Sequence, residues 1–297
     1  MSNKNKGKAG LKRGPLTIFI CTHKPFRPIP QVEARPDIYK IITNCKDPFP
    51  PTKLDILRVD KMDCDYPANE NMLLNEYRMI NAINKMKYKT EYIGICHYRR
   101  YYDIDSIERL NCNLVFKEAG IPLLLGQPIV FKDLLGQEYD NETWFAYWHS
   151  YSAWQDVKKV FKDFHPELSN EFDEMEKANF LHNSAMMIMP KELFSEWCDF
   201  IFPCYEEMKD KLNIHNDTDA FAYVDKYIDQ FVKPFNPLYT REYQTRFTAY
   251  VLERYLSVWL RIKRENGKSL LEQAGTIPWF MPDPKQIEIY LNNNNHP

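Results

Sequence analysis

The sequence predicts an α/β fold with a mainly parallel central sheet and a helix-rich C-terminal half. Three observations lead there. Short apolar runs such as Thr17–Thr22 and Glu91–Cys96 alternate with a helical segment in the first part of the chain, as strands buried by crossover helices do. From about Asn141 onward helical spacing dominates, with a single late apolar strand at Ala185–Met189. Hydrophobic residues make up 44% and charged residues 27% of the 297 residues, which supports a sizeable core and excludes disorder as the main state.

Each element follows from its local pattern. Thr17-Ile-Phe-Ile-Cys-Thr22 is a buried first strand that stops at His23, Lys24 and Pro25. Ile38–Thr43 and the shorter Leu54–Val59 are the next strands. Asn69–Lys87 carries Met72, Leu73, Tyr77, Ile80, Ile83 and Met86 at helical spacing, so one long helix is expected. Glu91–Cys96 is a buried strand running into His97-Tyr-Arg-Arg-Tyr-Tyr102, and Leu123–Phe131 holds one more. Thr143–Phe164 and Pro166–Ala178 read as helices. Pro190 takes the first position of a helix continuing over Lys191–Lys211, and Glu242–Arg264 is a long aromatic-rich helix. No Pro/Gly/Ser-rich linker divides the chain. A single domain over 15–291 is expected, between a disordered basic tail at 1–14 and a frayed polar end at 292–297.

Composition removes several function classes. The 39 Lys+Arg nearly balance the 41 Asp+Glu, without the basic footprint of a nucleic-acid binder. Lys4, Lys6, Lys8, Lys12 and Arg13 form a solvated leader, or a weak anchor to an anionic surface. Seven cysteines, an odd number without a CxxC pair, point to a reducing, cytoplasmic compartment. The longest apolar stretch, Ile121–Phe131, is interrupted by Gly126, Gln127 and Pro128. It is too short to span a bilayer, so membrane association is peripheral at most. Neither GxGxxG nor GxxxxGK[ST] occurs, which removes the defining feature of Rossmann dinucleotide binding and of P-loop phosphoryl transfer. The histidines lack HxxxH or HExxH spacing, and GxSxG is absent.

The strongest local feature is Cys96-His-Tyr-Arg-Arg-Tyr-Tyr102. An apolar strand delivers His97, Arg99 and Arg100 at its C-terminal end, where open α/β sheets bind ligands. Arginine forks match phosphate and carboxylate oxygens, so a diphosphate or other anion site is one reading; a surface turn with arginines paired to acids is the other. His23 and Lys24 end the first strand on the same logic, and Asn71, Asn75 and Glu76 lie near the start of the first long helix. Asp63/Asp65 and Asp103/Asp105 have the spacing of carboxylate pairs that hold Mg²⁺ or Mn²⁺ against a nucleotide diphosphate, and Asp103/Asp105 is the better placed. Asn183 and Ser184 precede the late strand and suit hydrogen bonds to sugar hydroxyls, unless they form a plain polar turn. Arg246 and Glu253 lie seven residues apart on nearly one helix face, followed by Arg254. They line a site or form a helix salt bridge.

Five stretches together resemble one family: Ile18-Phe-Ile-Cys-Thr-His-Lys-Pro25, Asn75-Glu-Tyr77, Glu91-Tyr-Ile-Gly-Ile-Cys-His-Tyr-Arg-Arg-Tyr101, Met186-Met-Ile-Met-Pro-Lys-Glu-Leu-Phe194, and Arg246 with Glu253-Arg254 and Trp259. The sequence is similar to the capsular-polysaccharide-synthesis family of predicted glycosyltransferases, catalogued as a domain of unknown function with a CHYRRY signature. Order and spacing extend over residues 16 to about 262. Ala185 stands where that family usually has Asn, and 212–240 look less typical.

The resemblance implies a GT-A-like fold that binds a nucleotide sugar, and a transferase moving a hexose from a UDP-sugar to a saccharide or lipid-linked saccharide acceptor in capsular or other surface polysaccharide synthesis. His23, Lys24, Glu76, His97, Arg99 and Arg100 then hold the donor. Asn183, Ser184 and Arg254 face the sugars, and Glu253 with Arg246 carries catalysis, Glu253 as base. GT-A enzymes usually end the equivalent strand in DxD, where this chain has His97-Tyr-Arg-Arg100. Either Asp103 and Asp105 hold Mn²⁺ or Mg²⁺, or Arg99 and Arg100 replace the metal. The alternative function is a non-catalytic glycan- or nucleotide-binding protein on the same fold.

Overall fold

The computed structural model describes residues 15–87, 89–133, 135–182, 185–227 and 240–283. The predicted tails at 1–14 and 292–297 lie outside the described residues.

Seven strands build the central sheet: β1 (Leu16–Thr22), β2 (Tyr39–Thr43), β3 (Ile56–Arg58), β4 (Tyr92–His97), β6 (Leu124–Gly126), β9 (Met187–Pro190) and β12 (Gly275–Ile277). The short β5 (Tyr101–Tyr102) pairs with β13 (Trp279–Phe280), β7 (Ile129–Val130) with β8 (Phe180–Leu181), and β10 (Arg264–Glu265) with β11 (Lys268–Ser269). The sheet order is β12-β6-β9-β4-β1-β2-β3. β1 runs parallel to both β4 and β2, β2 parallel to β3, and β6 parallel to β12; β9 alone enters antiparallel between β4 and β6. Every residue of β1 and β4 is buried, which explains their unbroken apolar runs.

Alternation along these strands supplies two cores. Phe19, Ile93, Ile95, Met187 and Met189 face the helix-rich side, while Ile18, Ile20, Tyr92, Cys96 and Ile188 face the other. Gly94 permits close contact on that second side, since a Cβ there would lie 2.9 Å from Ile18 Cγ1 and 3.3 Å from Ile188 Cγ1.

The helices are α1 (Pro30–Glu33), α2 (Asn71–Leu74), α3 (Glu76–Lys85), α4 (Ile104–Arg109), α5 (Asn141–Trp148), α6 (Tyr151–Phe164), α7 (Ser169–Lys177), α8 (Lys191–Leu212), α9 (Asp217–Asp225), α10 (Arg241–Gln244), α11 (Phe247–Ile262) and α12 (Leu270–Gln273). Among these, α3, α6, α7, α8 and α11 supply much of the helix-side core. α11 is almost wholly buried, from Phe247 through Leu260 apart from Tyr250. No helix among the described residues is long and apolar enough to cross a membrane.

The α/β fold, its mainly parallel sheet and its helix-rich second half follow the sequence reading, but four long elements are broken. The Asn69–Lys87 helix is interrupted at Asn75, where φ +48° and ψ −114° leave helical space, so Glu76 begins a new helix. Thr143–Phe164 divides at His149–Ser150, because the Ser150 side chain caps α6 by accepting from the Ala153 N–H. Glu242–Arg264 divides at Thr245–Arg246. Leu123–Phe131 becomes β6 and β7, interrupted at Gln127-Pro128, since proline has no N–H for a ladder. Pro190 closes β9 and caps α8 from outside rather than entering it.

Candidate functional site

The parallel register places Cys21 beside His97, so the chain segments leaving β1 and β4 emerge side by side. After β1, the Thr22 hydroxyl donates to the Lys24 carbonyl (2.6 Å) and accepts from the Lys24 N–H (3.2 Å), turning the chain at once. After β4, Arg100 N donates to His97 O (2.8 Å) and His97 N to Arg100 O (3.2 Å), which places Arg99 at the tip of a tight turn. Tyr98 N donates to Cys21 O, tying that turn to β1. Tyr98 is the hub: the His23 ring meets it edge-on at 5.5 Å, and Lys24 Nζ and Arg99 Cζ lie 5.5 and 5.3 Å from its centre.

The electrostatics follow from this crowding of cations. Burial lowers the Lys24 pKa, and Arg99 and Arg246 lower it further by repulsion. The His23 pKa is pushed down to about 4 by burial, opposed by Glu76 and reinforced by Arg246, His97 and Lys24. His97 Nδ1 accepts from the Arg99 backbone N–H (3.3 Å), which leaves the proton on Nε2, 3.2 Å from Glu76 Oε1. His97 is therefore the neutral donor, in keeping with the burial that depresses its pKa. Burial raises the Glu76 pKa, but the His97 hydrogen bond, the charge interactions with His97 and His23 and the Glu76 backbone N–H together outweigh it and keep the carboxylate ionised.

Two cavities flank this cluster. The first, about 180 Å³, is lined by His23, Asn44, Asn71, Met72, Asn75 and Arg246. Buried Arg78 orients its amides, donating to Asn44 Oδ1 (3.0 Å) and Asn71 Oδ1 (3.2 Å). Asp217 accepts from the Met72 and Leu73 N–H groups, and Thr248 Oγ1 donates to Leu73 O (2.5 Å). These bonds pin α2 between α9 and α11, and Arg246 at the mouth of α11 lines the same cavity as the asparagines. The second cavity, about 260 Å³, is lined by Arg100, Trp148, His149, Tyr243, Glu253 and Arg254 among others. Helical rise puts Glu253 about 10 Å from Arg246 along α11, on the same face. One helix thus presents Arg246 to the first cavity and Glu253 to the second.

Arg254 is 3% exposed, lies 4.9 Å from the Phe145 ring centre, and donates to Tyr250 O (2.8 Å). Burial lowers its pKa to about 10 despite the neighbouring Glu253. His149 stacks on Tyr243 at 4.9 Å with rings 4° from parallel, and burial and Arg254 hold it well below the usual histidine range.

Most of the residues named from sequence come together. His23, Lys24, Glu76, His97 and Arg99 form the strand-end cluster, while Arg246, Arg100, Glu253 and Arg254 line its two cavities. Asn183 and Ser184 lie outside the described residues. Asp103 is engaged elsewhere: its carboxylate caps α4, accepting from Ser106 N (2.8 Å) and Oγ (2.7 Å). Asp105 is exposed within α4, and neither Asp lines either cavity. Asp65 is tied to Asn81 and Lys85 of α3. Asn44 escaped the sequence reading, although it directly follows β2 and the strand-end rule applies to it. The wall formed by Trp144, Trp148, His149, Tyr243 and Tyr250 was also missed. Its aromatics look like core in one dimension, and they meet around one cavity only where α5, α10 and α11 come together.

A family model described as a domain of unknown function (DUF4422) matches residues 17–232. The chain belongs to the DUF4422 family. That match spans every element of the strand-end cluster, while α11 with Arg246 and Glu253 lies beyond it. No curated protein matches the chain. Among solved structures, this DUF4422 chain is similar to the apo structure of the WbbM bifunctional glycosyltransferase, with TM-score 0.59 and 15% identity over 90% of the chain. It covers 45% of that protein, so it spans less than half of its length. The likeness shows that the fold is one used by a glycosyltransferase.

Proposed function

We propose that this protein is a glycosyltransferase that moves a hexose from a nucleotide diphosphate sugar, a UDP-sugar, to a saccharide acceptor of a surface polysaccharide. The observation that carries the reading is the convergence of Lys24, Arg99 and Arg246 at the ends of β1 and β4, beside a cavity walled by asparagine amides. Amides supply donors and acceptors for a base and ribose, and the cations suit the two phosphates. The fold shared with a glycosyltransferase supports it.

The chemistry follows from charge. The departing nucleotide diphosphate gains negative charge as the glycosidic bond breaks, and fixed cations stabilise that charge in the transition state. Glu253, two turns along α11 from Arg246, is positioned to take the proton of the attacking acceptor hydroxyl. Glu76 accepts from His97 Nε2 and offsets part of the cationic charge.

A divalent metal is the usual partner of a nucleotide diphosphate, but the donor set at this strand end does not suit one. Glu76 is hydrogen-bonded by His97, Asp103 is spent on a helix cap, and Lys24, Arg99 and Arg246 would repel a divalent cation. Arg99, Lys24 and Arg246 take the metal's electrostatic role in this reading.

Thermal unfolding with UDP, other nucleotides and UDP-sugars tests the binding, because a ligand of the native state raises the midpoint. Hydrolysis or transfer of the UDP-sugar tests the enzyme. Nucleotide binding without turnover of any donor would support the non-catalytic glycan- or nucleotide-binding alternative instead.

A further inference from the structure

The second cavity does not end at Glu253. Trp144 and Trp148 form part of its wall, and the same two residues wall a larger cavity of about 710 Å³ on the outer side of α5. That outer cavity adds Tyr139, Thr143, Tyr147, Lys132 and Asp133. A run of rings joins the two cavities: Phe131 of the inner wall stacks on Trp144 at 5.2 Å and 14°, and Trp144 on Tyr147 of the outer cavity at 5.9 Å and 16°. Tyr147 is 52% exposed, so this end of the run is open to solvent.

The inner wall carries unused polar capacity. His149 is 2% exposed with neither ring nitrogen hydrogen-bonded, and Arg254 Nε is likewise unpartnered. Buried polar groups of a finished core are paired, so these two await a partner with hydroxyls. A lipid tail would leave them unsatisfied. Pyranose and furanose rings offer apolar C–H faces to flat aromatics and hydroxyl edges to histidine and arginine.

The geometry points to a binding groove for an oligosaccharide acceptor. Its terminal sugar sits in the inner cavity beside Glu253, and the preceding sugars lie along Trp148, Trp144 and Tyr147. This rests on the transferase reading for the role of the bound glycan, but the groove makes its own claim: affinity grows with the number of sugars.

The test uses the full chain on an array of bacterial surface oligosaccharides, from mono- to hexasaccharides. UDP thermal shift is the donor-side control, and phosphatidylethanolamine/phosphatidylglycerol vesicles are the membrane control. Binding should strengthen with chain length. Trp148→Ala and the exposed Tyr147→Ala should each weaken it about tenfold, as loss of an aromatic anchor does, and Trp148→Phe should largely restore it. The UDP shift should stay as in the wild type for all three. The groove is overturned if the wild type binds no glycan, if affinity is independent of length, if the alanine variants bind normally, or if vesicles bind in place of glycans. Glycan binding without any UDP shift would leave the groove standing and remove the donor reading.

Discussion

His97 donates from Nε2 to Glu76 Oε1 across 3.2 Å, joining the end of β4 to the first residue of α3. The tautomer is set from the other side, where Nδ1 accepts the Arg99 N–H. A buried acid therefore stays ionised at the centre of a cationic cluster and holds its turn in shape.

Acid pH should destabilise the protein in two steps. The folded-state pKa of His23 is about 4 against an ordinary 6.5, so the unfolded chain binds the proton first and stability falls as pH drops from 6.5 toward 4. Glu76 is held at about 2 against 4.5, so its contribution, complete above pH 4.5, is lost as pH falls from there toward 2. Thermal midpoints across this range should show both slopes. Burial holds His97, His149 and His182 low as well, so they share the first slope; His23→Gln should make it shallower and spare the second, and an unchanged profile would contradict the assignment.

Asn75 occupies a backbone conformation, φ +48° and ψ −114°, that side chains disfavour. Its amide donates to Glu76 and its carbonyl accepts from Asn44 Nδ2 (3.3 Å), so the break serves the first cavity. Asn75→Gly should keep the thermal midpoint near that of the wild type. Asn75→Ala, which keeps the strain and loses the amide, should cost about 1–2 kcal/mol in denaturant titration. Equal stability of the two variants would remove strain as the explanation.

Much of the fold was legible because buried parallel strands are short apolar runs, and β1, β2 and β4 end within a residue of where the sequence places them. The strand-end chemistry was legible for the same reason: a rule about carboxyl ends turned His23, Lys24 and His97 into candidates before any contact was known. The helix breaks at Asn75, His149–Ser150 and Thr245–Arg246 were not. Each lies inside a continuous apolar periodicity, and partners distant in sequence act at these breaks, as Thr248 Oγ1 donating to Leu73 O and Gln244 Nε2 donating to Trp148 O do, with the local Ser150 cap added at the second. Those breaks are where the cavities form, so periodicity overlooked the aromatic wall while finding its neighbours.

Gly94 should not tolerate a methyl group. A Cβ would meet Ile18 at 2.9 Å and Ile188 at 3.3 Å in the middle of the sheet, between two strands that cannot part without losing their ladders. Gly94→Ala should cost about 1–3 kcal/mol, the range of overpacked cores, and lower the midpoint accordingly. A midpoint equal to the wild type would show that the sheet yields more easily than its packing suggests.

Glu253→Gln should separate binding from chemistry. The amide keeps the shape beside Arg254 and Tyr250 but cannot accept the acceptor proton. Transfer should fall by about 10²–10⁴-fold while the UDP thermal shift persists. Glu253→Gln with full activity would remove Glu253 as base and move attention to His149 on the same wall.

Chelation should leave donor binding intact. If Lys24, Arg99 and Arg246 carry the diphosphate charge, the UDP thermal shift must be equal in EDTA and in Mn²⁺. The binding must also be salt-sensitive, since partly exposed cations are screened over about 10 Å at 0.1 M ionic strength. Arg99→Ala removes a cation from the tip of the 97–100 turn without touching the His97–Glu76 bond, because the bond to Nδ1 comes from the backbone. It should weaken UDP by about ten- to a hundredfold, as loss of a charged hydrogen bond does, with little change in unliganded stability. Arg246→Ala should do the same from the opposite wall. A shift seen only with Mn²⁺ and unaffected by Arg99→Ala would assign the diphosphate to a metal held by acids instead. Asp103→Asn would then be the next variant, since it keeps the α4 cap and removes the charge.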